Sequence, residues 1–113
     1  WLPAPYLPCP LDLQGLASAL IDVPDARARI IPGASFQAGS RADVIRGEET
    51  QLFGAVDAGL CPPDATVCHP GTHNKWARLE GGRLVSFRTV MTGEMFNLLK
   101  GGSLLKAWLA RPA

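Results

Sequence analysis

Apolar residues recur at the spacing of a helix face near the start of this chain. Residues 1–10 contain four prolines, which fix φ and favour an extended backbone. The apolar residues that follow recur at intervals of three and four: Leu13, Leu16, Ala17 and Leu20. Because this spacing brings them onto one face, we predict an amphipathic helix from Leu11 that packs by that face.

A second apolar stripe predicts a helix that begins between residues 40 and 48. Its members are Ile45, Glu49, Leu52, Val56 and Leu60, with Phe53 widening the stripe. Gly59 is placed to end this helix. Before the stripe, Arg29-Ile30-Ile31 predicts a short buried strand, and residues 34–41 predict a polar loop.

Two starts are open for the second helix. Ser40 and Asp43 match a capping box, which would begin the helix early. A start near Gly47 would instead place Glu48 and Glu49 in the first turn. There the helix dipole stabilises negative charge by about 0.3–1 kcal/mol.

A β-hairpin is predicted in the second half of the chain. Residues 74–80 and 83–89 read as strands, and Gly81-Gly82 suits the positive φ of a two-residue turn. Pairing across this turn gives the following register: Glu80 with Arg83, Leu79 with Leu84, Arg78 with Val85, Trp76 with Phe87, and Lys75 with Arg88. Lys75 and Arg88 would then share a face, and an anion between them would relieve their repulsion. The alternative is that both cations extend into water.

Helical segments are predicted again at the end of the chain. Thr92-Gly93-Glu94 opens a helix over residues 95–100, and Gly101-Gly102 ends it. The apolar residues of this helix and of the next amphipathic turn are predicted to pack in the core: Met95, Leu98, Leu99, Leu104, Leu105, Trp108 and Leu109.

Composition narrows the class of protein. The 113 residues are 47% apolar and 19% charged, which suits one ordinary globular core. The net charge is +1 without a basic block, so we expect no nucleic-acid partner. No apolar stretch reaches the roughly 18 residues of a membrane span and no signal peptide opens the chain. We therefore expect a cytoplasmic protein without a membrane partner.

The cysteine count is odd and fits a reducing compartment. Cys9, Cys61 and Cys68 have no disulfide-framework spacing. A zinc site made by Cys61, Cys68, His69 and His73 is a weak alternative. The two cysteines are separated by six residues, whereas structural zinc ligands are usually separated by only two to four. We therefore expect no metal site made by these residues.

Two segments suggest phosphoryl transfer. Residues 70–76 read Pro-Gly-Thr-His-Asn-Lys-Trp, and a Gly-Thr turn leaves backbone N–H groups exposed to an anion. Upstream, Arg46, Glu48 and Glu49 place a guanidinium and two carboxylates at a helix entrance. The simpler alternative is that the two glutamates lie where helices favour acids.

Four separated segments resemble one family in order. VIRGEETQLFG, CHPGTHNKW, FRTVMTGEMF and the opening APYLPCP are similar to segments of the 2-dehydro-3-deoxygalactonokinases, sugar-acid kinases of the actin-like ATPase superfold. The family usually reads Leu-Pro-Gly-Thr-His-Ser-Lys-Trp, where this chain has His69 and Asn74. Ile45 replaces a usual Met. None of these changes removes a candidate catalytic group, and Asn74 is placed to alter hydrogen bonding at the turn.

The resemblance implies an α/β fold. The chain would form part of an actin-like (ribonuclease H-like) sugar kinase, with a mixed sheet, a β-hairpin and flanking helices. It would be an internal segment over residues 1–113, from the end of the N-terminal lobe to the start of the C-terminal lobe, with a lobe junction near 59–65. The acidic, Gly-Thr-rich hairpin that opens such kinases has no match here, so the segment alone is expected to be inactive.

The implied reaction is ATP-dependent phosphorylation of the terminal hydroxyl of 2-dehydro-3-deoxygalactonate, with Mg²⁺ bridging the phosphates. A related kinase for another sugar acid, or a non-catalytic binding domain, are the alternatives.

The resemblance also implies roles for individual residues. Glu48 would be the general base, with Glu49 its rival. The phosphoryl group would be met by Gly71, Thr72, His73 and Lys75. Arg46 would bind the carboxylate of the substrate, and Tyr6, Thr92 and Glu94 would also contact the substrate. A core role for Tyr6 is at least as well supported by the sequence.

Overall fold

The computed structural model of the protein describes residues 4–109 and has α/β architecture, as predicted. In chain order the elements are β1 (Leu7–Pro8), α1 (Leu13–Ser18), β2 (Ile21–Asp22), β3 (Arg29–Ile30), β4 (Ala34–Ala38), β5 (Arg41–Ile45), α2 (Glu48–Asp57), β6 (Ala65–His69), β7 (Asn74–Glu80), β8 (Arg83–Val90), α3 (Thr92–Gly102) and α4 (Lys106–Leu109). No helix in this range is long and apolar enough to cross a membrane.

The first sheet is mixed and has the strand order β1-β4-β5. Strand β1 runs parallel to β4, and β4 is antiparallel to β5. The polar loop predicted over residues 34–41 is wrong, because these residues form β4 and the start of β5. Ala34 pairs with Ile45, and both side chains are buried in the core. The two-residue β2–β3 ladder confirms a short strand at Arg29–Ile30. Its predicted burial is wrong, because Arg29 and Ile31 are exposed and Ile30 is only partly buried.

Helix α2 begins at Glu48, so the later of the two predicted starts is confirmed. The capping box from Ser40 to Asp43 is wrong, because Asp43 lies on β5. Gly47 is the N-cap residue, and Gly59, with a φ of 73°, follows the helix end as predicted. Leu60 is 84% exposed because the helix ends at Asp57, which removes Leu60 from the predicted stripe.

The second sheet is antiparallel, with the order β6-β7-β8. The predicted pairs at the turn, Glu80 with Arg83 and Leu79 with Leu84, are confirmed. A register shift between Arg78 and Leu79 makes the other predicted pairs wrong. The observed pairs are Arg78 with Ser86, Ala77 with Phe87, Trp76 with Arg88, and Lys75 with Thr89.

The register shift has a packing reason. Leu84 and Phe87 are both buried, yet residues three apart on a regular strand point to opposite faces. An extra residue in β8 brings both side chains onto the face that packs on the core.

One hydrophobic core joins the two sheets to α1 and α2. Its buried members are Leu11, Leu16, Ala34, Ile45, Leu52, Phe53, Ala77, Leu79, Leu84 and Phe87. These core residues come from the chain both before and after residues 59–65. The lobe junction expected near 59–65 stays a prediction. The core role predicted for α3 and α4 is wrong here, because these helices pack mainly on each other and contain no buried residue in the described range. The exposed residues are Met95, Leu98, Leu99, Leu104, Leu105, Trp108 and Leu109.

A hydrogen-bond network connects β5 to β7 and β8. The Thr89 hydroxyl donates to Asp43 Oδ1 (2.8 Å) and accepts from Lys75 Nζ (2.8 Å). The Thr89 N–H donates to Asp43 Oδ2 (2.7 Å). Lys75 is only 6% exposed, so its ammonium group depends on this hydroxyl for a partner.

Replacing Thr89 with Val should destabilise the protein by about 1–3 kcal/mol, because the buried Lys75 ammonium and the half-buried Asp43 carboxylate each lose a hydrogen bond. Thr89→Ser keeps the hydroxyl and should recover most of the loss. Urea unfolding measures both changes. The control is Thr66→Val, at an exposed position of β6, and an equal loss in that variant would contradict a special role for the network.

Candidate active site

A cleft of about 530 Å³ opens where α2 begins. Its lining residues come from the end of β5, the first turns of α2, the segment before β4 and the end of β6: Ile31, Arg46, Gly47, Glu48, Thr50, Gln51 and His69. Gly47 has a φ of 113°, a conformation that suits glycine, and it turns the chain from the strand into the helix. Glu48 is therefore presented at the cleft directly after this turn.

The two adjacent glutamates have different environments. Glu48 is half-buried, lines the cleft, and accepts a hydrogen bond from the Arg46 N–H (3.2 Å). Glu49 is fully buried, and its Oε2 accepts from the Gly47 N–H (2.7 Å). Among the described residues, Glu49 Oε1 has no hydrogen-bond partner. Adjacent helix residues differ by about 100° in direction, which explains why one carboxylate faces the cleft and the other the core.

Burial raises the pKa of Glu49 above its ordinary value of 4.5. Hydrogen bonds from the N–H groups of Glu49 and Gly47 oppose this change, and the negative charge of Glu48 adds to it. The positive charge of Arg46 also opposes the rise. Desolvation is the largest of these effects, so Glu49 holds its proton to higher pH than a free glutamate.

Arg46 holds the chain near its beginning against the cleft. Its Nη2 donates to the carbonyl oxygens of Ala4 (2.7 Å) and Pro32 (3.1 Å), and its Nε also donates to Pro32 (3.2 Å). The guanidinium carbon lies 4.4 Å from the centroid of the Tyr6 ring, a cation–π contact. Within residues 4–109, the N–H groups of Nη1 have no acceptor. They remain available to a carboxylate.

The Gly-Thr turn is held by residues at both of its ends. The Gly71 N–H donates to Asn74 Oδ1 (2.9 Å), so this side chain occupies one of the predicted phosphate donors. In the part of the chain that the structure describes, the N–H groups of Thr72 and His73 have no acceptor. Both residues are exposed. Two of the three predicted backbone donors are thus free to meet an anion.

The start of α3 packs directly against this turn. The Glu94 N–H donates to the Thr72 carbonyl (2.9 Å), and Glu94 Oε2 lies 2.7 Å from His73 Nε2. A Cβ atom at Gly93 would lie 2.6 Å from the Gly71 carbonyl oxygen, closer than real contacts allow. The turn and the helix therefore form one unit, and this unit brings Thr72, His73 and Glu94 together.

The predicted anion pocket between Lys75 and Arg88 is wrong. Lys75 pairs with Thr89 and is buried, whereas Arg88 pairs with Trp76 on the opposite, exposed face. The register shift in β8 separates the two cations. The Lys75 ammonium instead donates to Thr89, so a direct contact of Lys75 with phosphate stays a prediction.

His69 connects the cleft to the turn. It ends β6, lines the cleft, and forms a hydrogen bond from its ring Nε2 to Gln51 Oε1. The Gly71–His73 segment follows within a few residues but does not line this cleft in the described range. Tyr6 reaches the cleft only through Arg46, and Thr92 is exposed.

The sequence prediction missed His69 and Gln51 as cleft residues. Gln51 follows Glu48 by three positions, so the helical period could have indicated a shared face. Nothing in the sequence alone indicated that the end of β6 would reach that face. The sequence likewise did not indicate the hydrogen bond between Asp43 and Thr89, because it joins residues far apart in the chain.

Within residues 4–109, no group of three or more His, Cys, Asp or Glu side chains is arranged to hold a metal ion. Burial raises the pKa of the Cys9 thiol to about 11, which keeps this thiol protonated near neutral pH.

Similarity to known proteins shows which class and which family this chain belongs to. A crystal structure of a candidate 2-dehydro-3-deoxygalactonokinase from Sinorhizobium meliloti matches with a TM-score of 0.89 and 39% identity, over 100% of this chain and 38% of that chain. The α/β fold and this similarity define a segment of the sugar-acid kinase class. The family model described as 2-keto-3-deoxy-galactonokinase matches residues 1–113, and the chain belongs to this family.

Two curated relatives agree with this assignment. The Probable 2-dehydro-3-deoxygalactonokinase DgoK1 of Rhizobium meliloti (strain 1021) is 43% identical over 108 residues, which is 93% of this chain. The 2-dehydro-3-deoxygalactonokinase of Escherichia coli (strain K12) is 42% identical over 109 residues, which is 96% of this chain. The matched region spans only 35% and 36% of these relatives.

The raised pKa of Glu49 predicts a pH-dependent stability difference. Below about pH 4.5 this carboxyl is protonated in both the folded and the unfolded state. As pH rises through the raised folded-state pKa, the wild type should lose stability relative to Glu49→Gln. Urea unfolding between about pH 4 and pH 8 measures the difference. Glu80→Gln, at an exposed position, is the control, and a difference for Glu49→Gln that stays constant with pH would contradict the prediction.

Gly93→Ala should displace the Gly-Thr turn from α3, because the added Cβ would collide with the Gly71 carbonyl. We expect a loss of about 1–3 kcal/mol in the free energy of unfolding. Amide hydrogen exchange should also become faster at Gly71 and Glu94, whose N–H groups are hydrogen-bonded at this contact. The control is Gly101→Ala in the same helix, where a Cβ meets no atom within 4 Å and should be neutral or slightly stabilising. Equal effects of the two variants would exclude close packing as the cause.

Proposed function

We propose that the protein containing this chain transfers a phosphoryl group from ATP to the terminal hydroxyl of 2-dehydro-3-deoxygalactonate. Family membership and the names of the two relatives support a sugar-acid kinase. The observation that carries the assignment to this chain is the placement of Glu48 at the cleft beside Arg46, with Glu49 buried behind it. The same proposal includes an actin-like (ribonuclease H-like) fold for the complete protein and a cytoplasmic location.

Glu48 is the general base in this proposal. Its carboxylate lines the cleft, whereas Glu49 is fully buried. A base must come within hydrogen-bond reach of the substrate hydroxyl, and such a group typically accelerates the reaction by about 10²–10⁴-fold. Accessibility therefore favours Glu48 over its neighbour.

Arg46 binds the carboxylate of the sugar acid. Its guanidinium plane is fixed by the hydrogen bonds from Nε and Nη2 to backbone carbonyls and by the contact with the Tyr6 ring. The free Nη1 edge then faces a partner with little loss of side-chain entropy. Tyr6 acts as a support for Arg46 in this arrangement. Thr92 and Glu94 belong to the second cluster, around the Gly-Thr turn, and contact the substrate from that side.

The free N–H groups of Thr72 and His73, with the Thr72 hydroxyl, bind the transferring phosphoryl group. Such preorganised donors stabilise charge that develops in the transition state. Gly71 shapes the turn while its N–H is held by Asn74, and Lys75 supports the turn from the core side through Thr89. Mg²⁺ would neutralise phosphate charge when bound. Within residues 4–109, no group of three or more His, Cys, Asp or Glu side chains is arranged to hold it.

Glu48→Gln should lower kcat by about 10²–10⁴-fold in the intact protein while KM for the sugar acid changes little, because the amide cannot accept the hydroxyl proton. Glu49→Gln keeps an acceptor for the Gly47 N–H and should retain most of kcat. A coupled assay of ADP release with 2-dehydro-3-deoxygalactonate measures both variants.

Glu80→Gln on the exposed hairpin is the control for the loss of a carboxylate elsewhere. If Glu49→Gln alone abolished turnover, the base would be Glu49. If both variants kept full activity, neither acid at the entrance of α2 would be the base. A wild-type protein that does not phosphorylate the sugar acid would reject the proposed reaction.

A further inference from the structure

We propose that Ile31 packs against carbon 3 of the sugar acid, which carries no hydroxyl group, and so favours 3-deoxy acids over their 3-hydroxy counterparts. This inference rests on the proposed function, because it names a further contact in the same cleft. Among the described residues that line this cleft, Ile31 is the only one with a purely hydrocarbon side chain. Apart from Gly47, the other lining residues carry polar or charged groups.

Ile31 is next in the chain to the residue that holds Arg46. The carbonyl oxygen of Pro32 accepts hydrogen bonds from Arg46 Nε (3.2 Å) and Nη2 (3.1 Å), so the guanidinium lies beside the Ile31–Pro32 segment. In the sugar acid, carbon 3 is two bonds from the carboxyl carbon, whereas the reacting hydroxyl is on the terminal carbon. A substrate whose carboxylate meets Arg46 therefore brings carbon 3, rather than its reacting end, close to Ile31.

An apolar groove of about 180 Å³ adjoins the cleft at Ile31. Ile31 and Thr50 line both the groove and the cleft, so they form the boundary between them. The other residues of the groove come from α1 and the segment after it, and all have hydrocarbon side chains: Leu13, Leu16, Ala17 and Leu20. The α1 side of this boundary therefore supplies no side-chain hydrogen-bond partner to a hydroxyl group on carbon 3.

Desolvation explains how such a wall distinguishes the two kinds of acid. A methylene group gains free energy when it leaves water, whereas a hydroxyl group buried against hydrocarbon loses its hydrogen bonds to water without replacement. An apolar pocket rejects an added hydroxyl group by about 100-fold at most. We therefore expect the preference for the 3-deoxy acid to be about 10-fold to 100-fold.

The position of Ile31 argues against a purely structural role. Its side chain is 36% exposed and does not belong to the hydrophobic core. The residue lies between β3 and β4, outside both strands, so it takes no part in their ladders. Substitutions at this position should therefore leave the fold intact.

The test uses Ile31→Thr in the full-length protein, because threonine keeps the β-branched shape and adds a hydroxyl group. The substrates are 2-dehydro-3-deoxygalactonate and 2-dehydrogalactonate, its 3-hydroxy counterpart. The variant should lower the preference for the 3-deoxy acid, measured as the ratio of the two kcat/KM values, by about 3-fold to 10-fold, with KM for ATP unchanged. Ile31→Val keeps a hydrocarbon surface and should keep the preference. Val44→Thr, at an exposed position of β5 outside the cleft, is the matched control.

A structural role would lower kcat/KM for both acids alike in Ile31→Thr, and that result would overturn the inference. A wild type without a preference, an unchanged preference in the variant, or an equal change in Val44→Thr would overturn it as well. Calorimetric binding of the two acids measures the same preference without turnover. A weaker preference in binding by Ile31→Thr would support the inference even if the wild type phosphorylated neither acid, whereas absence of wild-type binding and turnover would reject both proposals.

Discussion

The geometry of the candidate site depends on the reversal of the chain at Gly47. A φ of 113° at this residue allows β5 to lead into α2 without an intervening loop. The Gly47 N–H is then held by the Glu49 carboxylate, which is drawn into the interior. With Glu49 fixed inward, the helical period directs Glu48 toward the cleft. The burial of one acid thus positions the accessible one.

In the second sheet, the bulge that packs β8 on the core also determines a polar contact with the first sheet. The bulge in β8 brings Leu84 and Phe87 onto the core face, and the same shift sets Thr89 opposite Lys75. There the Thr89 hydroxyl lies between a buried ammonium and the Asp43 carboxylate of the first sheet. A packing requirement near the hairpin turn therefore determines a polar contact at the far end of the strand.

Sequence reasoning could predict the parts of this fold that depend on local chemistry. The glycines at 47, 59, 81 and 82 indicated the ends of α2 and the hairpin turn, because positive φ is a local demand. The bulge has no such signal, since it follows from which side chains must share a face in three dimensions. In α3, the apolar spacing predicted a buried face at Met95 and Leu99, but spacing does not specify what covers that face. The roles at the cleft were assigned to neighbours in sequence, whereas the structure adds His69 from a distant strand.

The Gly-Thr turn is fixed at both ends, which bears on how it can act. His69 before the turn pairs with Lys75 after it in the β6–β7 ladder, and Lys75 is tied through Thr89 to the strand that leads into α2. The acid at the helix entrance and the amides of the turn are therefore connected through the same set of paired strands. Donors held in this way do not need to reorganise when negative charge develops beside them, and reorganisation is the main cost that a flexible loop would add. In the proposed reaction, the hydrogen bonds among Lys75, Thr89 and Asp43 would therefore help to hold the exposed N–H groups of the turn in place.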